Sequence, residues 1–163
     1  MEPLELNYLE KAVSDSRFLD RVQLAEVKVL LKDNDRYRIL VDLIMSSGLR
    51  QEEAFALTID NFVIVDKEDV EIHVNQSVRE LDKNVYVIVP YGKSHGSRRV
   101  VTIPYSVYDD VVKYFDNVVK NETPYEKELR QKNDTVGLIF ADKEKKVPND
   151  IVNNALHFFL KDV

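Results

Sequence analysis

Arg50 and Glu53 are the first residues of this chain whose types and spacing suggest chemistry. They lie three positions apart in the stretch LIMSSGLRQEEAFALTIDN, residues 43–61. At that spacing on a helix two side chains share one face, so a carboxylate can orient the guanidinium. A guanidinium can donate two hydrogen bonds at once to a phosphate. We therefore expect Arg50 to bind a phosphate with support from Glu53; the alternative is a solvated arginine at a helix start.

A second group of cationic side chains follows in the segment YGKSHGSRRVVTIP, residues 91–104. Its members are Lys93, His95, Arg98 and Arg99. No Asp or Glu occurs from residue 83 to residue 108, although the chain has 29 acidic residues and a net charge of −6. A local positive surface is compatible with a negative total, although β-strands in general also contain few acidic residues. A turn lysine can donate a proton near a phosphate, but lysines in turns are usually only solvated, and both interpretations of Lys93 are open at this point.

These residues must be positioned by helices and strands that the periodicity predicts. Apolar residues at helical spacing predict a helix that ends at Gly48, and a further helix that carries Arg50 and Glu53. Stretches rich in β-branched residues at 62–65, 70–74, 85–89 and 99–103 then predict a small antiparallel sheet of about three strands. Helical spacing returns near residue 107 and again after Pro148. The pattern predicts an α+β domain, mostly helical, with residues 1–19 as a linker or lead-in segment.

Two motifs resemble those of the tyrosine recombinase (phage integrase) family. The first is similar to that family's first-arginine motif and consists of Ser47, Gly48, Leu49, Arg50, Glu53, Leu57, Asp60 and Asn61. Ser47 stands where the family usually has Thr, and Asn61 where it often has Asp. The second is similar to the family's β-turn lysine, which Lys93 matches. The resemblance implies that residues 20–163 form the amino-terminal part of an integrase catalytic domain with its small three-stranded sheet.

The resemblance also implies a function. In that family a tyrosine attacks the scissile phosphate and forms a 3′-phosphotyrosyl link during site-specific recombination, as in integration or excision of a phage or mobile element. Arg50 would bind the phosphate, Glu53 would support it, and Lys93 would protonate the leaving oxygen. DNA contacts are expected from a further group of cations, namely His95, Arg98 and Arg99. The expected partners are a duplex recombination site and three further copies in a synaptic homotetramer, without a metal, cofactor or small-molecule substrate.

The chain departs from the family after its last predicted helix. The family's H-x-x-R and its nucleophilic tyrosine follow that helix, whereas His157 here is followed three positions later by Leu160. None of the eight tyrosines matches the nucleophile. We therefore expect an inactive fragment of a recombinase. The alternatives are a chromosome-dimer-resolving or telomere-resolving relative, or a non-catalytic DNA-binding module that kept the fold.

Composition excludes several other classes. The chain has no cysteine, which excludes disulfides and zinc–thiolate sites. Its three histidines are scattered without the spacing of metal ligands. No apolar run approaches the roughly 20 residues that a membrane helix needs, and the first residues do not read as a secretory signal. These features favour a cytoplasmic location.

Overall fold

The computed structural model describes residues 32–92 and 98–148 of the chain. Within these ranges the chain combines α-helices with small antiparallel sheets, which agrees with the expected α+β class. The helices are α1 (Asp35–Ser47), α2 (Gln51–Phe55), α3 (Tyr105–Lys120) and α4 (Pro124–Lys132). The strands are β1 (Phe62–Ile64), β2 (Asp69–Val74), β3 (Gln76–Asp82), β4 (Val85–Pro90) and β5 (Arg99–Pro104).

Local signals set the ends of α1. Asn34 caps its start, since the side-chain Oδ1 accepts a hydrogen bond of 3.2 Å from the backbone N–H of Tyr37. The helix ends at Gly48, whose φ of 73° lies in the left-handed region and whose N–H donates to the Ile44 carbonyl. That reversal directs the chain into α2 after two residues, and Arg50 becomes the residue that caps α2. The predicted helix that ends at Gly48 is thus confirmed.

The strands form two separate antiparallel sheets. The three-stranded sheet has the order β1-β2-β5, with Ile72 of β2 opposite Phe62 on one side and Val101 on the other. Strands β3 and β4 pair only with each other within the described residues, as a hairpin with an irregular register between Glu80 and Asp82. A three-stranded sheet was expected, but β3 was not. Its outer half is charged and exposed and therefore lacks the apolar alternation of a strand.

The core lies between the three-stranded sheet and the helices. Strand β5 continues directly into α3, whose N-cap residue is Pro104, and α3 packs against α1 and the sheet. Alternate strand residues and the inner helix faces contribute the buried side chains, among them Leu40, Leu43, Ala54, Val70, Ile72, Ile103 and Val111. The ring of Phe140 closes one end by stacking on Tyr114 with a centroid distance of 5.8 Å. This core fixes the start of α2 relative to β5.

Several expectations concern residues that the structure does not describe. The lead-in segment at residues 1–19 and the helix predicted after Pro148, which includes His157, lie outside the described residues. Among the residues that are described, no helix is long and apolar enough to cross a membrane.

Candidate anion-binding site

Glu53 is the centre of the candidate site. It lies in the first turn of α2, and its side chain is only 1% exposed. The backbone N–H of Arg50 donates a hydrogen bond of 2.9 Å to Glu53 Oε1, which is one half of a capping box at the start of α2. An ionised carboxylate at such depth requires hydrogen bonds or an opposite charge, because burial removes its water.

Two residues from the strands complete the hydrogen bonding of the carboxylate. Arg99 binds it through both terminal nitrogens, with Nη1 at 2.8 Å from Oε2 and Nη2 at 3.0 Å from Oε1. The hydroxyl of Tyr91 donates to Oε2 at 2.9 Å. Together with the Arg50 N–H, each carboxylate oxygen accepts two hydrogen bonds, which is the usual full capacity of a carboxylate. The side chain of Glu53 is therefore held rigidly and is fully hydrogen-bonded.

These contacts decide the charge state of Glu53. Burial alone would raise the pKa of its carboxyl group, because burial disfavours the charged form. The hydrogen bonds from Arg99, the Arg50 backbone and Tyr91 outweigh burial, and the pKa lies below its ordinary value. Glu53 is consequently a carboxylate at neutral pH, and the hydrogen bond to Glu53 together with the charge of that carboxylate raises the pKa of Arg99.

The Arg50 guanidinium lies at the exposed edge of this arrangement. Its Nη1 is 3.6 Å from Glu53 Oε2, and the side chain is 61% exposed. One carboxylate lies beside two guanidiniums, and that of Arg50 is the more exposed of the two. An anion that approaches Arg50 therefore meets an exposed guanidinium, and the backbone of the same residue is hydrogen-bonded to the buried Glu53 carboxylate.

Three elements bring these side chains together. Arg50 and Glu53 come from the start of α2, Tyr91 follows β4 directly, and Arg99 is the first residue of β5. The hairpin is attached to α2 by a hydrogen bond of 2.6 Å from Gln76 Nε2 to the carbonyl of Ala56. The backbone N–H of Tyr91 donates to Asn75 at 2.8 Å, which fixes the end of β4 beside the start of β3.

The structure brings some of the predicted site residues together. Arg50, Glu53 and Arg99 meet in one cluster, and Arg98 is an exposed neighbour just before β5. Lys93 and His95 lie outside the described residues, so their roles stay predictions. Arg99 was expected to contact DNA; its guanidinium is hydrogen-bonded to Glu53, and a DNA contact by it also remains a prediction.

Tyr91 was missed as a site residue. The only signal in the sequence that could have marked Tyr91 was its position just before Gly92 and Lys93, because its partner Glu53 lies 38 positions away.

In the two described ranges, no group of three or more His, Cys, Asp or Glu residues could hold a metal ion. Comparisons of the chain with protein-family models, with curated proteins and with solved structures find no match. The likeness to tyrosine recombinases therefore depends on the two sequence motifs.

Proposed function

We propose that Arg50 binds a phosphodiester of duplex DNA and that the chain is part of the catalytic domain of a tyrosine-type site-specific recombinase. The observation that carries the proposal is the exposed Arg50 guanidinium beside a buried and fully hydrogen-bonded Glu53. The two sequence motifs described above are the basis for proposing this family. The proposed biological role is integration or excision of a phage or mobile element.

The charge of the cluster suits this role. A phosphodiester carries one negative charge, and the Arg50 guanidinium offers a positive charge at an exposed position. During phosphoryl transfer, negative charge increases on the two non-bridging oxygens of the phosphate. A preorganised guanidinium stabilises that charge more than it stabilises the ground state, because it need not reorient as the charge develops. Glu53 supplies the preorganisation.

In the proposed reaction, the phenolic oxygen of a tyrosine bonds to phosphorus while the bond from phosphorus to the 5′ oxygen breaks. The phenolic proton passes to a base, and Lys93 donates a proton to the leaving 5′ oxygen. The phosphotyrosyl ester conserves the bond for rejoining, so no nucleotide is consumed. Arg50 acts on the non-bridging oxygens throughout.

A non-catalytic DNA-binding module is the second candidate, and one observation favours it. Burial and the hydrogen bond to Glu53 raise the pKa of Tyr91, so this phenol keeps its proton and acts as a donor. The tyrosine that the structure brings to the cluster is therefore suited to hold Arg50 rather than to attack phosphorus. Such a cluster can bind a phosphodiester without breaking it.

Binding of fluorescent duplex DNA at low salt tests the proposal. Arg50→Ala is expected to weaken binding and to reduce the slope of log affinity against log salt concentration by about one, because one phosphate contact is lost. Arg38→Ala is the matched control: it removes an arginine at the opposite end of α1 that pairs with Asp35. Equal effects of the two variants on affinity and slope would refute an Arg50 phosphate site.

A trapping experiment tests whether this chain itself breaks DNA strands. The chain is incubated with nicked duplexes. After cleavage, the short strand that carries the free 5′ hydroxyl diffuses away, which prevents rejoining. Protein–DNA adducts are then resolved under denaturing conditions. An adduct that Arg50→Ala abolishes would assign strand breakage to this chain. Binding that depends on Arg50 without an adduct is the result expected for a chain that lacks the nucleophile or for a module.

A further inference from the structure

The Tyr91 hydroxyl occupies a special position in the anion-binding cluster. It donates a hydrogen bond of 2.9 Å to Glu53 Oε2, the same oxygen that lies 3.6 Å from Arg50 Nη1. Arg99 Nη1 also donates to Oε2, at 2.8 Å, so both acceptor positions of this oxygen are occupied. The Tyr91 hydroxyl thus occupies an acceptor position of Glu53 beside the Arg50 guanidinium.

The occupied acceptor positions of the Glu53 carboxylate affect how Arg50 and Glu53 interact. Glu53 accepts four hydrogen bonds, and Arg50 Nη1 remains 3.6 Å from Oε2, which is beyond hydrogen-bonding distance. If the hydroxyl of Tyr91 were removed, one acceptor position on Oε2 would open next to Arg50. A charge-assisted hydrogen bond between Arg50 and Glu53 would then form and draw the guanidinium toward the interior.

We propose that Tyr91 is a positioning residue for Arg50: its hydroxyl fills the last acceptor position of Glu53 and holds the Arg50 guanidinium at the surface, where a phosphodiester can bind. Arg99 fills two of the other positions and acts in the same direction. The inference rests on the proposed function, since it assigns Tyr91 a role in the phosphate site of Arg50. It predicts that phosphate binding is lost when an acceptor position on Glu53 opens, although no charge is removed.

Tyr91→Phe is the direct test, because it removes one oxygen and leaves every charge in place. We expect DNA affinity to fall roughly tenfold, as for the loss of one charge-assisted hydrogen bond. The salt slope should fall by about one, as with Arg50→Ala. Tyr125→Phe is the matched control on an exposed tyrosine of α4, and it should bind DNA like the wild type.

A double variant distinguishes positioning from a merely structural role. If Tyr91 acts through Arg50, then Tyr91→Phe combined with Arg50→Ala should bind DNA no more weakly than Arg50→Ala alone. A general loss of structure would instead add to the effect of Arg50→Ala and would lower the melting temperature. The side-chain N–H signals of Arg50 in NMR should also exchange more slowly with solvent in Tyr91→Phe.

Arg99→Lys is the second variant, and it decides the question if Tyr91→Phe does not fold. Lysine keeps the charge but cannot form both hydrogen bonds of the guanidinium, so an acceptor position on Glu53 opens again. The same loss of affinity is expected. Wild-type affinity and slope in these variants, with a clear loss in Arg50→Ala, would overturn the role of Tyr91 and leave the proposed function intact. Wild-type binding by Arg50→Ala would overturn both.

Discussion

Two buried glutamates, Glu53 and Glu122, each pair with an arginine, and the surroundings of the two pairs differ. Arg130 Nε donates to Glu122, and the two side chains are 6% and 3% exposed. The guanidinium of Arg130 also donates to the backbone carbonyls of Thr135 at 2.9 Å and Leu138 at 3.0 Å. This cluster thereby joins the end of α3 to α4 and to the loop that follows α4.

The charges of the Glu122 cluster balance. Lys145 Nζ lies 3.6 Å from Glu122 Oε1 and 3.6 Å from Glu126 Oε2, so two carboxylates face two cations. The Glu53 cluster has two guanidiniums for one carboxylate, and one of them is 61% exposed. A buried Arg–Glu pair is therefore not in itself a sign of function. A guanidinium that reaches solvent is what distinguishes the candidate site.

The largest expected effect is on stability, in the Glu122 cluster. Arg130→Met should lower the free energy of unfolding by about 3–5 kcal/mol, because it leaves Glu122 buried without its main partner and removes the guanidinium hydrogen bonds to the Thr135 and Leu138 carbonyls. Urea denaturation followed by circular dichroism measures the change. Lys146→Met removes a cation from an exposed pair in the same loop and should change stability by less than about 0.5 kcal/mol. Similar losses in both variants would contradict the distinction between buried and exposed pairs.

The next largest effect on stability is expected in the Glu53 cluster. Glu53→Gln keeps the size of the side chain but replaces one acceptor oxygen by an NH₂ group, which then faces the donors of Arg99 and Tyr91. The free energy of unfolding should fall by about 2–3 kcal/mol, which is typical of a lost hydrogen bond to a charged group. The neighbouring Glu52, which is exposed, supplies the control Glu52→Gln. A Glu53→Gln protein as stable as this control would mean that Glu53 does not organise the start of α2.

Acid should reduce the difference in the free energy of unfolding between the wild type and Glu53→Gln. The pKa of Glu53 in the folded protein lies below its ordinary value of 4.5, so near that pH the unfolded chain binds the proton more readily than the folded one. The stabilisation by the carboxylate is complete above pH 4.5 and is lost as the pH falls through the folded pKa. Denaturation curves of both proteins at several pH values measure the difference, in which contributions of other acids cancel. A difference that stays constant with pH would contradict the lowered pKa.

The part of the site that the sequence could predict is local. Asn34 and Gly48 bound α1 through caps whose residue types are specific, and the spacing of Arg50 and Glu53 falls within one helical turn. The apolar residues of β2 and β5 likewise gave strands in the expected places. In these segments the interactions that determine structure occur between residues close together in the chain, so a pattern of residue types is sufficient.

The contacts that could not be predicted join distant residues. Arg99 binds Glu53 across 46 positions, and the choice between a DNA contact and this pairing depends on how β5 is placed against α2. Arg130 also illustrates the point: it belongs to a polar, highly charged helix, yet its guanidinium is buried because Glu122 and two backbone carbonyls surround it. No local pattern marks a polar residue that becomes buried only when the chain folds.

The smallest expected effect on stability is that of Arg50→Gln, and it completes the comparison with Arg130. The contact between Arg50 and Glu53 that supports α2 is made by the backbone N–H, which the substitution leaves in place. The side chain is mostly exposed and the carboxylate keeps its hydrogen bonds from Arg99 and Tyr91, so the free energy of unfolding should change by less than about 0.5 kcal/mol. DNA binding should nevertheless be lost as in Arg50→Ala, since no guanidinium then remains at this exposed position. A loss of stability near that of Arg130→Met would instead make Arg50 a structural residue like Arg130, and the exposed guanidinium would no longer mark a binding site.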